Sequence, residues 1–154
     1  MDTLLTARAA LQINRPLPDV FEAVVNPQEM TNYFIAKSSG RMVQGATLQW
    51  GFPEFDAEFP VRIGSVEQDK KVVFYWDHAG KEHEVTILFF AYKDATVVKI
   101  TETGEPITDD GINWAVGNTE GWAGFLLSMK AWLEYGIHLR NGAYTWRFDN
   151  DAAL

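Results

Sequence analysis

Residues able to do chemistry are sparse in this chain. There is no cysteine, which excludes thiolate nucleophiles, redox pairs and zinc ribbons. His78 and His83 flank Ala79-Gly80-Lys81-Glu82, with Glu84 beside them, a set that can hold a divalent ion if it converges. With no H-E-x-x-H and His138 far along the chain, the expectation is a solvated hairpin tip and no metal. Glu54, Asp56 and Glu58 share one strand parity, while Phe55, Ala57, Phe59, Val61 and Ile63 take the other. Those carboxylates are therefore expected in water, not converging across a cleft as hydrolytic pairs must. Asp109-Asp110-Gly111 reads as a turn. G-x-S-x-G, the P-loop and G-x-G-x-x-G are all missing, and Gly40 and Gly45 have neither the right spacing nor a following helix. No cofactor is expected. The prominent feature is aromatic: 10 Phe, 6 Trp and 5 Tyr, which either pack a core or line an apolar pocket.

The elements that must position these rings follow from periodicity. Residues 6–14 alternate as a strand, with Ala9, Leu11 and Ile13 on one face. Pro18 suits the first turn of a short helix that buries Val20, Phe21 and Val24, and Asn26-Pro27 ends it before a second helix over 28–34. From 41 to 103 the pattern is strands with short turns at Ala79-Gly80 and Lys93-Asp94, hence antiparallel neighbours. Trp122, Phe125, Leu126, Met129 and Leu133 then form the stripe of a long amphipathic helix, with Asn118 or Thr119 as cap and Gly142 as stop. The fold class is α+β. One domain is expected over 1–154, with a core of about 6–142 and a tail of 143–154.

A net charge of −8 and scattered Lys and Arg argue against nucleic acid and against an electrostatic membrane anchor. The longest apolar run, Ile87–Tyr92, is too short to span a bilayer, and the first residues lack a signal-peptide pattern. A soluble, cytoplasmic protein is expected.

Several strings, taken in order, resemble a known superfamily. They are Pro16-Leu17-Pro18-Asp19-Val20-Phe21-Glu22-Ala23-Val24, Asn26-Pro27 before Tyr33-Phe34, and Gly64-Ser65-Val66-Glu67 leading into Val72–Trp76. The strand Thr96–Thr101 and the segment Gly121–Glu134 continue the series. Together they resemble the START-like (SRPBCC, birch-pollen-allergen-like) superfamily. Within it they are most similar to the bacterial family related to the heat-shock-protein-90 ATPase activator homologue. The strings are packing patterns, not catalytic signatures.

The resemblance implies a helix-grip fold: a curved antiparallel sheet around the long C-terminal helix, with a cavity that takes a hydrophobic small molecule or lipid. Trp50, Phe59, Phe74, Trp76 and Phe89 would line it from the sheet, and Trp122, Leu126, Met129 and Leu133 from the helix. The same residues could instead fill a dry core. Glu102, on the face of Val98 and Ile100, either anchors the cavity mouth or lies in solvent past the strand end, and the second is expected. Trp114 lids the pocket or seals the core. For Tyr33, Asn113 and Asn118, capping or surface roles outweigh mouth roles. Val73, Tyr75, Leu88, Phe90 and Tyr92 point outward and mark a possible homodimer or partner face. The leading expectation is ligand binding without chemistry. The alternatives are a cofactor-free cyclase, aromatase or hydratase using the same cavity, and a co-chaperone-like interaction module. The extra domain of the eukaryotic activator has no counterpart in this length, so its role is not carried over.

Overall fold

The computed structural model describes residues 3–154. β1 (Leu4–Ile13) leads to α1 (Leu17–Val25) and α2 (Pro27–Met30). Six strands follow: β2 (Lys37–Ser38), β3 (Thr47–Gly51), β4 (Glu58–Glu67), β5 (Lys71–His78), β6 (Lys81–Tyr92) and β7 (Ala95–Pro106). The long helix α3 (Asp109–Tyr135) comes next, then a single 3-10 turn at Thr145–Phe148. The seven strands make one antiparallel sheet in the order β1-β7-β6-β5-β4-β3-β2. This is the α+β helix-grip arrangement.

Strand alternation explains which face is covered. Val61 and Ile63, Val72 and Phe74, Val85 and Ile87, and Val98 and Ile100 all point inward and are buried. A register shift between Ile63 and Val66 in β4 is the kind of bulge that bends a sheet. The β5–β6 turn has Ala79 and Gly80 both at positive φ, 49° and 79°, as a two-residue hairpin matching strand twist requires. On the inner face, α3 packs Trp122, Phe125, Leu126 and Met129 into a core shared with Val20, Phe21 and Val24 of α1.

Several boundaries differ from expectation. α3 begins at Asp109, capped by the Thr108 hydroxyl accepting the Gly111 N–H, so neither Asn118 nor Thr119 caps it. It stops at Gly136, whose φ of 66° makes the left-handed cap expected of Gly142. Residues 54–57 precede β4 rather than extending it, and helix α2 has four residues where 28–34 was expected. On the outer face Val73 is buried, and Arg62 lies 4.0 Å above the Tyr75 ring. Phe90 and Tyr92 are 45% and 47% exposed, with Lys99 and Lys93 over their rings. Among the described residues no helix is long and apolar enough to cross a membrane, and no cluster is arranged to hold a metal ion.

Candidate functional site

The chemistry-bearing residues collect on the inner face where β5, β6 and β7 run side by side. The ladder pairs Trp76 with His83 and Val85 with Glu102, so three polar or amphipathic side chains occupy inward positions on adjacent strands. Glu102 is almost fully buried (1% exposed) and His83 is completely so. Glu102 Oε2 accepts from Trp76 Nε1 at 3.1 Å and lies 2.8 Å from His83 Nδ1. Its Oε1 accepts from Asn118 Nδ2 and Trp122 Nε1, both at 2.9 Å. Asn118 and Trp122 stand one turn apart on α3, which brings both over the same carboxylate. A carboxylate offers about four lone-pair sites, and here each oxygen meets two partners.

His83 Nε2 lies 2.8 Å from Glu105 Oε1, while Lys81 Nζ donates to Glu105 Oε2 at 3.0 Å. Both ring nitrogens of His83 thus face carboxylate oxygens. The hydrogen bond with His83, and then that from Lys81, hold the Glu105 carboxyl below the ordinary carboxylate range. The ring lies flat against β7 because residue 104 is glycine. A Cβ there would stand 2.2 Å from His83 Cδ2. His83 is therefore not at a solvated hairpin tip, and Glu102 is not in solvent. Trp114 closes the cluster from α3, edge-on to His83 at 4.7 Å between centroids, with its Nε1 unpartnered among the described residues. It lies inside α3, which begins well before the Asn118 or Thr119 cap expected.

Beside this cluster opens a cavity of about 250 Å³. Trp76 and Trp122, stacked 5.7 Å apart, belong to both: their indole N–H groups hold Glu102 and their rings form cavity wall. Phe34, Phe52, Phe55 and Phe125 continue the wall, and Tyr144, Arg147 and Phe148 complete it from beyond α3. Phe148 packs on Phe55 at 5.4 Å. Close approach of Tyr144 depends on Gly124, where a Cβ would stand 2.7 Å from the tyrosine hydroxyl. Glu54 also lines the cavity. Its side chain is buried, and Arg140 Nη1 donates to Glu54 Oε1 at 2.7 Å. Glu54 thus does not face water, contrary to the strand reading of 54–58.

Of the residues expected to line a pocket, the structure puts Trp76 and Trp122 in its wall. Glu102 is held by both of them, and Trp114 packs on the His83 side of the cluster. Trp50 and Phe74 support Trp76 at 6.2 and 5.3 Å, and Phe59 stacks on Phe52 at 5.5 Å. Phe89 packs edge-on against Phe21, Leu126 and Met129 are core, and Leu133 packs against the core's edge. Tyr33 is buried with its hydroxyl donating to the Ala23 carbonyl, and burial pushes that hydroxyl's pKa well up. Asn113 is exposed, whereas Asn118 holds Glu102. Pattern reading missed Phe34, Phe52, Phe55, Arg140, Tyr144, Arg147 and Phe148, all outside helices and sheet apart from the 3-10 turn. The available signal was three rings in five residues, Tyr144, Trp146 and Phe148, too apolar for a solvated tail.

A family model described as "Activator of Hsp90 ATPase homolog 1-like protein" matches residues 14–134. Among solved structures, the chain is similar to protein SSP2350 from Staphylococcus saprophyticus, with 30% identity, a TM-score of 0.76, and coverage of 88% of this chain and 96% of that one. DynU16, a putative protein in the dynemicin biosynthetic locus, gives 22% identity and a TM-score of 0.76 over 85% of this chain and 48% of its own. The Aha1 dimer from Colwellia psychrerythraea gives 19% identity and a TM-score of 0.71 over 86% and 98%. At those lower identities the likeness is one of fold. No curated protein matches the chain.

Proposed function

We propose, from the premise that this chain belongs to the Activator of Hsp90 ATPase homolog 1-like family, that it binds a small aromatic or otherwise hydrophobic molecule in the cavity between sheet and C-terminal helix. The observation that carries this reading is a mostly aromatic wall held in place from behind by a saturated carboxylate. Concave, mainly apolar sites with a few fixed polar groups suit small ligands. The volume, near the low end of ~300–1,000 Å³ for such sites, suits a one- or two-ring molecule. DynU16's place in a biosynthetic locus accords with a small-molecule role. Binding without chemistry is favoured over turnover because both buried acids at the cavity are already engaged: Glu54, in its lining, by Arg140, and Glu102, behind its wall, by four partners. Using Glu102 as a base would break the contacts that hold Trp76 and Trp122.

Two measurements test the reading. Protein purified from its native host, compared by native and denaturing mass spectrometry, is expected to carry a mass that denaturation removes. Titration with 1-naphthaleneethanol, followed by tryptophan fluorescence, is expected to saturate. Gly121→Phe should weaken that binding at least about tenfold by occupying the cavity, since nothing within 4 Å blocks a side chain there. A bare chain that also ignores the naphthalene probe would overturn it.

The outer sheet face supports a second reading, pairing of two copies, because Phe90 and Tyr92 remain nearly half exposed and a protein of the same fold is an Aha1 dimer. Sedimentation should then show twice 17.4 kDa, reverting to the single mass in Phe90→Lys. The 17.4 kDa species alone at micromolar concentration would end that reading.

A further inference from the structure

Building on the ligand-binding reading, we infer that the cavity selects an aromatic molecule bearing one anionic group, and that Arg147 takes that group. Three ionised side chains line the cavity: Glu54, Arg140 and Arg147. Glu54 and Arg140 neutralise one another through a part-buried bond of 2.7 Å. Arg147 has no carboxylate partner among the described residues, although the chain carries eight more acidic than basic side chains. Asp149, the acid closest to it in sequence, instead accepts the Asp151 backbone N–H.

The Arg147 guanidinium is nonetheless placed. It lies 4.3 Å from the centre of the Tyr144 ring, and Arg140 lies 5.0 Å from the centre of the same ring. Tyr144 thus carries two cations, of which one is already matched by an acid. The unmatched one belongs to the cavity lining, with its five donors free of any carboxylate. A planar guanidinium suits bidentate capture of a carboxylate or sulfonate. With the ligand's rings against Trp76 and Trp122, an acidic substituent directed at Arg147 supplies the missing partner. A cationic ligand would instead meet an unpaired guanidinium, and Glu54 is already engaged.

The test uses two probes of similar size, 1-naphthaleneacetate and 1-naphthaleneethanol, titrated calorimetrically into the full chain. Charge-assisted hydrogen bonds contribute ~1.5–3 kcal/mol, a factor of about 10–100 in affinity. The acetate is therefore expected to bind at least about tenfold tighter than the alcohol, with that margin shrinking as salt is added. Arg147→Gln should bring the acetate down close to the alcohol's level, costing the acetate at least about tenfold more than the alcohol, while Arg147→Lys should keep part of the preference. Equal binding of both probes to the native chain would overturn the assignment and leave the ligand-binding reading standing. Equal weakening of both probes by Arg147→Gln would make Arg147 a wall, not an anion site, and also overturn it. Binding of neither probe would remove the ligand-binding reading itself, and this inference with it.

Discussion

At the scale of single residues, Glu102 organises the site. Its four partners come from two strands and a helix, and the N–H groups of Trp76, Asn118 and Trp122 donate to it, so Glu102→Gln sets an amide N–H₂ against donors while leaving His83 beside one carboxylate instead of two. Breaking a buried ionic network by removing one partner costs about 3–5 kcal/mol, which for a chain of this length corresponds to roughly 6–20 °C in Tm. Thermal unfolding of Glu102→Gln should show a loss of that order; a change under 2 °C would mean the cluster is not a structural tie. The two indoles on α3 give a sharper comparison. Trp122→Phe strips a donor from Glu102, whereas Trp114→Phe removes an N–H that has no partner among the described residues. Leaving a buried polar group unmet costs ~1–3 kcal/mol, so Trp122→Phe should be the more destabilising in urea unfolding by about 1–2 kcal/mol. Part of the cluster was readable from sequence. Glu102 continues the inward parity of Val98 and Ile100, and His83 continues that of Val85 and Ile87. Placing His83 at a hairpin tip hid the second, because β6 already begins at Lys81. Glu54 was misread for the converse reason: it alternates with Asp56 and Glu58, but the strand begins only at Glu58.

At the scale of elements, glycines mark where secondary structure gives way to the site. The strand register around β5–β7 and both tight turns were legible because alternation and turn chemistry are local. The first three turns of α3 were not, because Gly111 and Gly117 lower helix propensity across them. Two further glycines, Gly121 and Gly124, lie in the part of α3 that the apolar stripe revealed and line the cavity, where the absence of a side chain makes room for the site. Gly124→Ala should push Tyr144 outward and speed probe dissociation while leaving far-UV circular dichroism unchanged. Unaltered dissociation would show that Tyr144 is not a closing wall. Cross-element carboxylates also make stability depend on pH. Burial pushes Glu134 up, but hydrogen bonds from Lys130 and the Asn14 backbone N–H outweigh it and leave the carboxyl below its usual range. Glu22 lies below its range through Arg41, and Glu105 through His83 and Lys81. A lowered folded pKa means the unfolded chain binds protons first as pH drops. These contributions are therefore full above the ordinary value of ~4.3 and fade as pH falls through the lowered folded values. Urea midpoints measured from pH 7 to 3 should fall on that limb, and Glu134→Gln should flatten it; parallel curves for the two proteins would contradict the assignment.

At the scale of the whole molecule, fold and site draw on different information. The sheet and the α3 stripe follow periodic burial, which a single sequence displays. The cavity is assembled from side chains as far apart as Phe34, Glu54, Arg140 and Phe148, none of which obeys a period. A ligand at 100 times its Kd should add ~2.7 kcal/mol, so saturating 1-naphthaleneacetate is expected to raise Tm by roughly 5–10 °C, and by much less in Gly121→Phe. No shift at saturation would mean that the probe does not prefer the folded chain. The order of the walls along the chain has a bearing on biosynthesis. Residues 140–148, which carry Arg140, Tyr144, Arg147 and Phe148, are translated after every other part of the cavity. The rings supplied by the sheet and its loops, Phe34, Phe52, Phe55 and Trp76, thus precede in synthesis both the helix and the segment that face them. The wall made first is the sheet's, and the parts that narrow the cavity are added to it afterwards.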